Sequence, residues 1–596
     1  MSTKRTASDI LREAQHYATA GNGSRAEMLY RVILAKFPKH KAALSGLAAL
    51  TSNGAQQPDP LRKATTQIQA LLKQGKQKEA LEIGLAVQVA YPQDPELANG
   101  LGTLLAQSKD YTAAIAQFRR ALSVAPKNIE ALHNLAAALQ ILGRNKEAIQ
   151  TAQAAISINP RPTALHATLG NALAAVGRLD EAITAFETVL ATDPAHVMAH
   201  DGICYAYERS SQLDKMAIAI DRANLACEKD NALILHRMAQ LAYRNKDYKG
   251  AKSLLSRTAI QDLPKDHQVS RYELIGKSFD QLHKSQAAID AFQTMNQLGA
   301  PSLCVEPIVK NGYFRDLTDR LKDAESLKAP WDPSTTSDSP IFLVGSPRSG
   351  TTLLDTILRA HPKISVLEEQ PMIQNMRAAL GDAAHSIAGL AGLSEQAIEQ
   401  ARRGFLETFA ELSDAPTMGK ILVDRMPLNL VEVPMIMRVF PKARFILALR
   451  HPCDCVLSCF MQNFRHNNAM DNFVTLKGSA EFYNLFMSVW RAQTDALSPA
   501  VAQVRYEDVI IDPKSALEAV MQTIGVDWHP AMDDHLGSAN KRARIDTASY
   551  QQITQPLYQS SAGRWERYRA QFDPILHHLT PWIEHWGYSH TDASDA

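Results

Sequence analysis

The sequence predicts two architectures in tandem: an all-α helical-repeat solenoid, then an α/β P-loop-like domain with a central parallel sheet. A 34-residue period predicts the first. Pro92, Pro126, Pro160 and Pro194 stand one period apart, as do Ala114, Ala148 and Ala182, and Gly143 and Gly177. A change of pattern predicts the second. A short apolar run, IFLVG (341–345), is followed by a Gly-containing loop and a helical stretch. The 596 residues are 45% hydrophobic and 21% charged, which excludes a collagen-like or wholly disordered chain.

Each period holds two apolar-periodic segments, such as ALHNLAAALQILG and NKEAIQTAQAAISINP. These read as a helix, a turn with Gly, a second helix, and a Pro that stops it. Ala or Gly at the crossing lets two backbones approach closely. The layout resembles the tetratricopeptide repeat. The match is clearest from Glu96 to His196, and degenerate units continue to about residue 300. Pro38 lies 54 residues before Pro92, so one unit there is expected to be irregular or to carry an insertion, with TSNGAQQPDP (51–60) as the site for it. The expected organisation is a repeat solenoid over 1–300, a connector over 301–340 and a second domain over 341–590. Repeats of this class offer a concave surface, which implies a peptide or protein partner.

The connector LKAPWDPSTTSDSP (327–340) is turn-rich. After the strand IFLVG come SPRSGTT (346–352) and the helical LLDTILRAH. Strand, Gly loop, helix is the layout of a phosphate-binding turn, whose backbone N–H groups and helix dipole favour an anion. A Walker A loop would carry Lys where Thr351 stands, which argues against a nucleoside-triphosphate kinase. Arg348 supplies the cation instead, and Thr351 and Thr352 supply hydroxyls.

PRSGTT after an apolar strand resembles the 5′-phosphosulfate loop of sulfotransferases, which use 3′-phosphoadenosine 5′-phosphosulfate (PAPS). The resemblance assigns Ser346, Pro347, Arg348, Ser349, Gly350, Thr351 and Thr352 to that loop. In ARFILALRHPCDCVLSCF (443–460), Arg450 and Ser458 match the pair that holds the 3′-phosphate. A guanidinium fork and a hydroxyl suit that task. The run from Gly345 to Leu353, Ala360-His361-Pro362, and the pair Glu368-Glu369 are similar to the tyrosylprotein sulfotransferases. That branch implies Glu369 as the catalytic base, with Glu368 as the runner-up. His361 and His451, each before a Pro, read as turn formers.

Three further blocks extend the likeness. In LVDRMPLNL (422–430), Arg425 replaces the family's usual Lys, which implies a charge-stabilising role. In VRYEDVIIDP (504–513), Tyr506 belongs either near the nucleotide or in the core. In IDTASYQQITQPLYQSSAGRWERY (545–568), Ser549 matches a serine near the transferring sulfate, and Arg564 a basic residue near the 3′-phosphate.

The implied reaction moves a sulfuryl group from PAPS to an acceptor hydroxyl, with a tyrosine of a peptide or protein as acceptor. A catalytically degenerate scaffold, or an enzyme acting on a saccharide or small metabolite, are the alternatives. Lys and Arg total 63 against 62 Asp and Glu, a net charge of +1, so no global field draws nucleic acid and any anion site is local. The six cysteines, at 204, 227, 304, 453, 455 and 459, are too few for a disulfide scaffold and suggest a reduced setting. Cys455 and Cys459 would share a helix face, but no further ligands stand at usual zinc spacing, so no metal is expected. MSTKRTASDILREAQ turns polar before any signal-peptide run, and no apolar stretch approaches a membrane span. A cytoplasmic protein without a membrane anchor is expected, and a homodimer is compatible with the sequence.

Overall fold

The computed structural model describes residues 6–20, 22–52, 60–300, 312–324, 326–327, 339–413, 417–534, 537 and 562–588. Packing divides the chain into two units, Met1–Arg237 and Met238–Ala596. The first unit is built from antiparallel helix pairs. Its clearest pairs are α1 (Pro95–Gln107) with α2 (Tyr111–Val124), α3 (Ile129–Ile141) with α4 (Asn145–Ile158), α5 (Thr163–Ala175) with α6 (Leu179–Thr192), and α7 (Val197–Arg209) with α8 (Leu213–Ala226). Asp94, Asp110 and Asn128 start α1, α2 and α3 by accepting the N–H of the residue three ahead.

Local physics explains the 34-residue period. The turn within each pair puts one residue in the left-handed region: Gly75, Lys109, Gly143, Gly177 and Ser211, with φ between 56° and 80°. Only Gly takes that conformation without steric cost, so the period shows in the sequence at Gly143 and Gly177 and is hidden at Lys109 and Ser211. Lys246 and His283 repeat the device in the second unit, at φ 64° and 54°. The segment expected to carry an insertion, 51–60, lies largely outside the described residues.

Ala114, Ala148 and Ala182 are completely buried, and Met216 fills the same place one period on. Glycine makes room for aromatic rings between helices. A Cβ on Gly170 would come within 2.7 Å of the Phe186 ring, and one on Gly202 within 2.5 Å. Phe186 is thereby seated between α5 and α7.

The second unit opens with helices that continue the paired pattern, including α9 (Lys265–Gln281) and α10 (Ser285–Gly299). A five-stranded parallel sheet follows: β1 (Ile341–Gly345), β2 (Ile364–Glu368), β3 (Ile421–Arg425), β4 (Arg444–Leu449) and β5 (Ala500–Arg505), in the order β2-β3-β1-β4-β5. All four pairings are parallel. Strand residues alternate between two cores. Phe342, Val344, Phe445 and Leu447 pack on one face with Phe405 and Phe440. Ile341, Leu343, Ile446 and Ala448 pack on the other with Leu354 and Ile357 of α11 (Thr351–Arg359). The central strands β1 and β4 are buried on both faces and read as near-continuous apolar runs. The chain leaves β1 towards β2 and β3 on one side and later places β4 and β5 on the other. The loop after β1 therefore lies at the switch point, where open α/β sheets form their ligand crevice.

The α10 helix is fastened to this domain. The Asn296 amide donates to the carbonyl of Phe460 at 2.9 Å, and Phe292 meets the Phe460 ring edge-on.

Replacing Phe186 by Ala leaves a cavity that Gly170 and Gly202 cannot close. The repeat unit should lose about 3–5 kcal/mol, read from urea unfolding followed by circular dichroism.

Candidate active site

The loop Ser346–Gly350 is shaped by close approaches. A Cβ on Gly345 would fall 2.6 Å from Ser349 Oγ and 2.7 Å from the Ala448 carbonyl, so only Gly lets β1 run this close to β4. The loop then turns through two left-handed residues, Arg348 (φ 71°) and Gly350 (φ 97°). Gly350 caps α11, and a Cβ there would lie 2.7 Å from the Tyr506 ring. Thr351 and Thr352 begin the helix and are buried. The first turn of a helix presents N–H groups without intrahelical partners, and here they open onto the loop. Buried Ser349 Oγ has no hydrogen-bond partner among the described residues.

The second half of the expected signature meets this loop. Arg450 directly follows β4, and Ser458 lies on α12 (Pro452–Phe460). Arg348 Nε donates to Ser458 Oγ at 3.0 Å. Arg450 Nη1 donates to the Arg348 carbonyl at 3.2 Å. The Arg450 guanidinium lies over the Tyr506 ring, 5.1 Å from its centre. Tyr506 thus touches both the loop and Arg450. Burial alone would weaken the Arg450 cation, but Asp454, with Nη2 to Oδ2 at 4.0 Å, holds it charged.

Asp454 also anchors the C-terminal segment. It accepts the N–H of Gly563 at 2.8 Å and of Trp565 at 2.9 Å. The Trp565 ring stacks on His451, with 5.0 Å between centres. Arg564 is thereby carried to the Asp454 side of the site. Its own guanidinium pairs with Asp280 of α9, Nη2 to Oδ2 at 2.8 Å. Asp280 also takes Arg567 and the Tyr568 hydroxyl, at 3.1 and 2.6 Å. Ser549 lies outside the described residues.

Glu368 and Glu369 stand at the end of β2. The Glu369 side chain is 40% exposed and that of Glu368 is 13% exposed. Both carboxylates bond to Arg425 of β3, Glu369 through Nη1 and Glu368 through Nη2. Arg425 was expected to stabilise charge on the leaving group; its Nη atoms engage Glu369, Glu368 and Asp355.

His361 and His451 behave as turn formers, each Nδ1 accepting a backbone N–H two residues ahead. The cysteines on α12 are buried. Cys459 Sγ donates to the Pro347 carbonyl at 3.3 Å and Cys455 Sγ to the Arg450 carbonyl at 3.8 Å. Burial pushes the Cys459 thiol up to about 12, which keeps it protonated. They pack behind the loop.

Sequence reasoning missed the carboxylates behind the arginines: Asp454, Asp280 and Asp355. Asp355 did carry a signal, as a charge inside the otherwise apolar LLDTILR. Nothing in the local sequence marks Asp280.

Residues 340–530 match the sulfotransferase family, and residues 99–161 and 141–201 match tetratricopeptide repeats. The chain thus joins a region similar to the sulfotransferase family to a region similar to tetratricopeptide repeats. An uncharacterized protein of Aquifex aeolicus is 24% identical over 262 residues, 42% of this chain and 33% of that one. Protein-tyrosine sulfotransferase 2 of Gallus gallus is 24% identical over 42% of this chain and 69% of its own length. Protein-tyrosine sulfotransferase 1 of Danio rerio is 23% identical over 41% and 70%. The chain therefore spans one third of the Aquifex relative and about seven tenths of the two vertebrate ones. Among the described residues, no helix is long and apolar enough to cross a membrane.

The Gly350→Ala variant forces a Cβ into a left-handed residue and against Tyr506. It should cost about 1–3 kcal/mol, measured by thermal unfolding. Adding Tyr506→Ala should recover the part due to the clash.

Proposed function

We propose that the sulfotransferase domain transfers a sulfuryl group from PAPS to the hydroxyl of a tyrosine in a peptide or protein, and that the repeats recruit this acceptor or a partner. The observation that carries the reading is the joined set Arg348, Ser458, Arg450 and Tyr506 around the loop after β1, at one end of a sheet on which β2 presents the exposed carboxylate of Glu369.

The residues suit a doubly phosphorylated nucleotide. The unpartnered Ser349 Oγ, the N–H groups opening α11 and the Arg348 guanidinium would hold the 5′-phosphosulfate end. Arg450 and Ser458, with Arg564 on the Asp454-anchored segment, would hold the 3′-phosphate, and Tyr506 would border the nucleotide. PAPS, when bound, supplies the sulfuryl group and a leaving nucleotide. Glu369 accepts the proton of the acceptor hydroxyl through its partly exposed carboxylate. Arg348 and the loop N–H groups meet negative charge as it grows on the leaving side. Ser549 is assigned by likeness to the region of the transferring sulfate. Glu369 is favoured over Glu368 by exposure, since a base must reach the acceptor.

The acceptor assignment is supported by the two vertebrate protein-tyrosine sulfotransferases and by the attached repeats, whose class commonly binds polypeptides. A cytoplasmic setting and a homodimer belong to the same proposal. Five free described cysteines are compatible with a reduced compartment.

Glu369→Gln should lower turnover by about 10²–10⁴-fold, the usual worth of general-base help. Calorimetric affinity for adenosine 3′,5′-bisphosphate should stay near that of the parent. Labelled sulfate should pass from PAPS into tyrosine-containing peptides, and adenosine 3′,5′-bisphosphate should compete with the donor better than ATP does. Unchanged turnover in the variant would remove Glu369 from this role.

A further inference from the structure

Arg425 and its neighbours form a buried charge cluster that the proposed chemistry does not by itself require. We infer that Arg425 is a positioning residue that sets the Glu369 carboxylate, and that Glu368 and Asp355 hold Arg425 for that purpose. The inference rests on Glu369 being the base.

Arg425 is completely buried at the end of β3. It grips Glu369 twice. Its Nη1 donates to Glu369 Oε1, and its carbonyl accepts the Glu369 N–H at 2.9 Å. Glu369 needs such a grip, because its φ of 45° lies in the left-handed region that a residue with a side chain enters at a cost. Glu368, in register with Arg425 in the sheet, takes Nη2. Asp355 of α11, fully buried, accepts from the same Nη2 at 3.4 Å. Arg359, one turn on, bonds Asp355 through Nε at 3.0 Å and Nη2 at 2.9 Å.

The charge balance matters. Asp355, Glu368 and Glu369 contribute three negative charges, and Arg359 and Arg425 two positive ones, leaving a net of −1. Asp424, the next residue along β3, faces Asn429, and burial holds its carboxyl up to about 7. An arginine paired with Glu369 alone would favour its ionised form and blunt it as a base. Shared with Glu368 and Asp355, the same arginine can orient Glu369 while neutralising it only in part. A lysine could not do this in the same way, because it presents a point charge where Arg presents a planar fork that reaches two carboxylates at once.

The test is a double-mutant cycle of Arg425→Gln with Glu369→Gln, read as kcat, together with calorimetry of adenosine 3′,5′-bisphosphate. Arg425→Gln should cut kcat by about 10²-fold in the parent, comparable to losing base assistance. In the Glu369→Gln background it should cut kcat by less than about 3-fold, because residues that act as a unit are non-additive. Bisphosphate affinity should hold throughout and reports on folding at the same time. If Arg425→Gln yields no folded protein, Arg425→Lys takes its place in the cycle with the same expectation. Asp355→Asn should lower kcat by less than Arg425→Gln does and leave bisphosphate affinity near that of the parent, since Arg425 keeps Glu368 and Glu369. Additive losses, or a tenfold loss of bisphosphate affinity in Arg425→Gln alone, would overturn the inference and leave the base intact. An unaffected Glu369→Gln enzyme would remove both.

Discussion

Arg450 holds the candidate site together. It directly follows β4, and from there one side chain reaches three separate parts of the domain. Its Nη1 fixes the Arg348 carbonyl in the loop after β1, its face covers Tyr506 after β5, and Asp454 on α12 stands behind it. The parallel sheet makes this possible. Because β4 is the direct neighbour of β1, with Gly345 opposite Ala448, the carboxyl end of one strand lies beside the loop that leaves the other. A residue displaced by one register would point the guanidinium to the opposite face.

Like charges brought together must be compensated. Two arginines, Arg348 and Arg450, share this corner, in a chain whose total charge is close to zero. The balance is local, with carboxylates placed behind the cations. Asp454 backs Arg450, Asp280 backs Arg564 and Arg567, and Asp355 with Glu368 backs Arg425. Buried pairs of this kind are weak evidence of net stability, because desolvation offsets much of the attraction. What they do supply is fixed direction. A guanidinium gripped from behind turns its remaining donors one way, and a site prepared to receive phosphate needs that more than it needs extra stability.

Much of this was legible in the sequence, for reasons that differ by element. The repeats announce themselves through Gly143, Gly177 and the buried alanines, because a left-handed turn and a close helix crossing each restrict residue choice. The same turn at Lys109, Ser211 and His283 leaves no trace, since tertiary packing there tolerates a side chain at positive φ. The loop SPRSGTT is legible because backbone geometry demands it. The pairing of Arg348 with Ser458 spans 110 residues and no local pattern gives it; the family likeness sets Ser458 beside Arg450 instead. Of the carboxylate backing, only Asp355 and Glu368 left a local trace. Whether Asp280 faces solvent or two arginines is decided by how α9 meets the 564–568 segment, and no local spacing encodes that.

That last contact bears on how the repeats and the chemistry belong together. The helices α9 and α10 continue the paired-helix pattern of the repeats, yet they pack within the same unit as the sheet. Asp280 of α9 anchors the segment that carries Arg564, and Asn296 of α10 caps the carbonyl of Phe460 at the end of α12, the helix that bears Ser458. Two residues assigned to the 3′-phosphate are thus each braced by a repeat-like helix. The final helical pair is therefore part of the catalytic unit's own scaffold. A truncation made where the helical pattern ends, near residue 300, would remove supports from both Arg564 and the Ser458 helix.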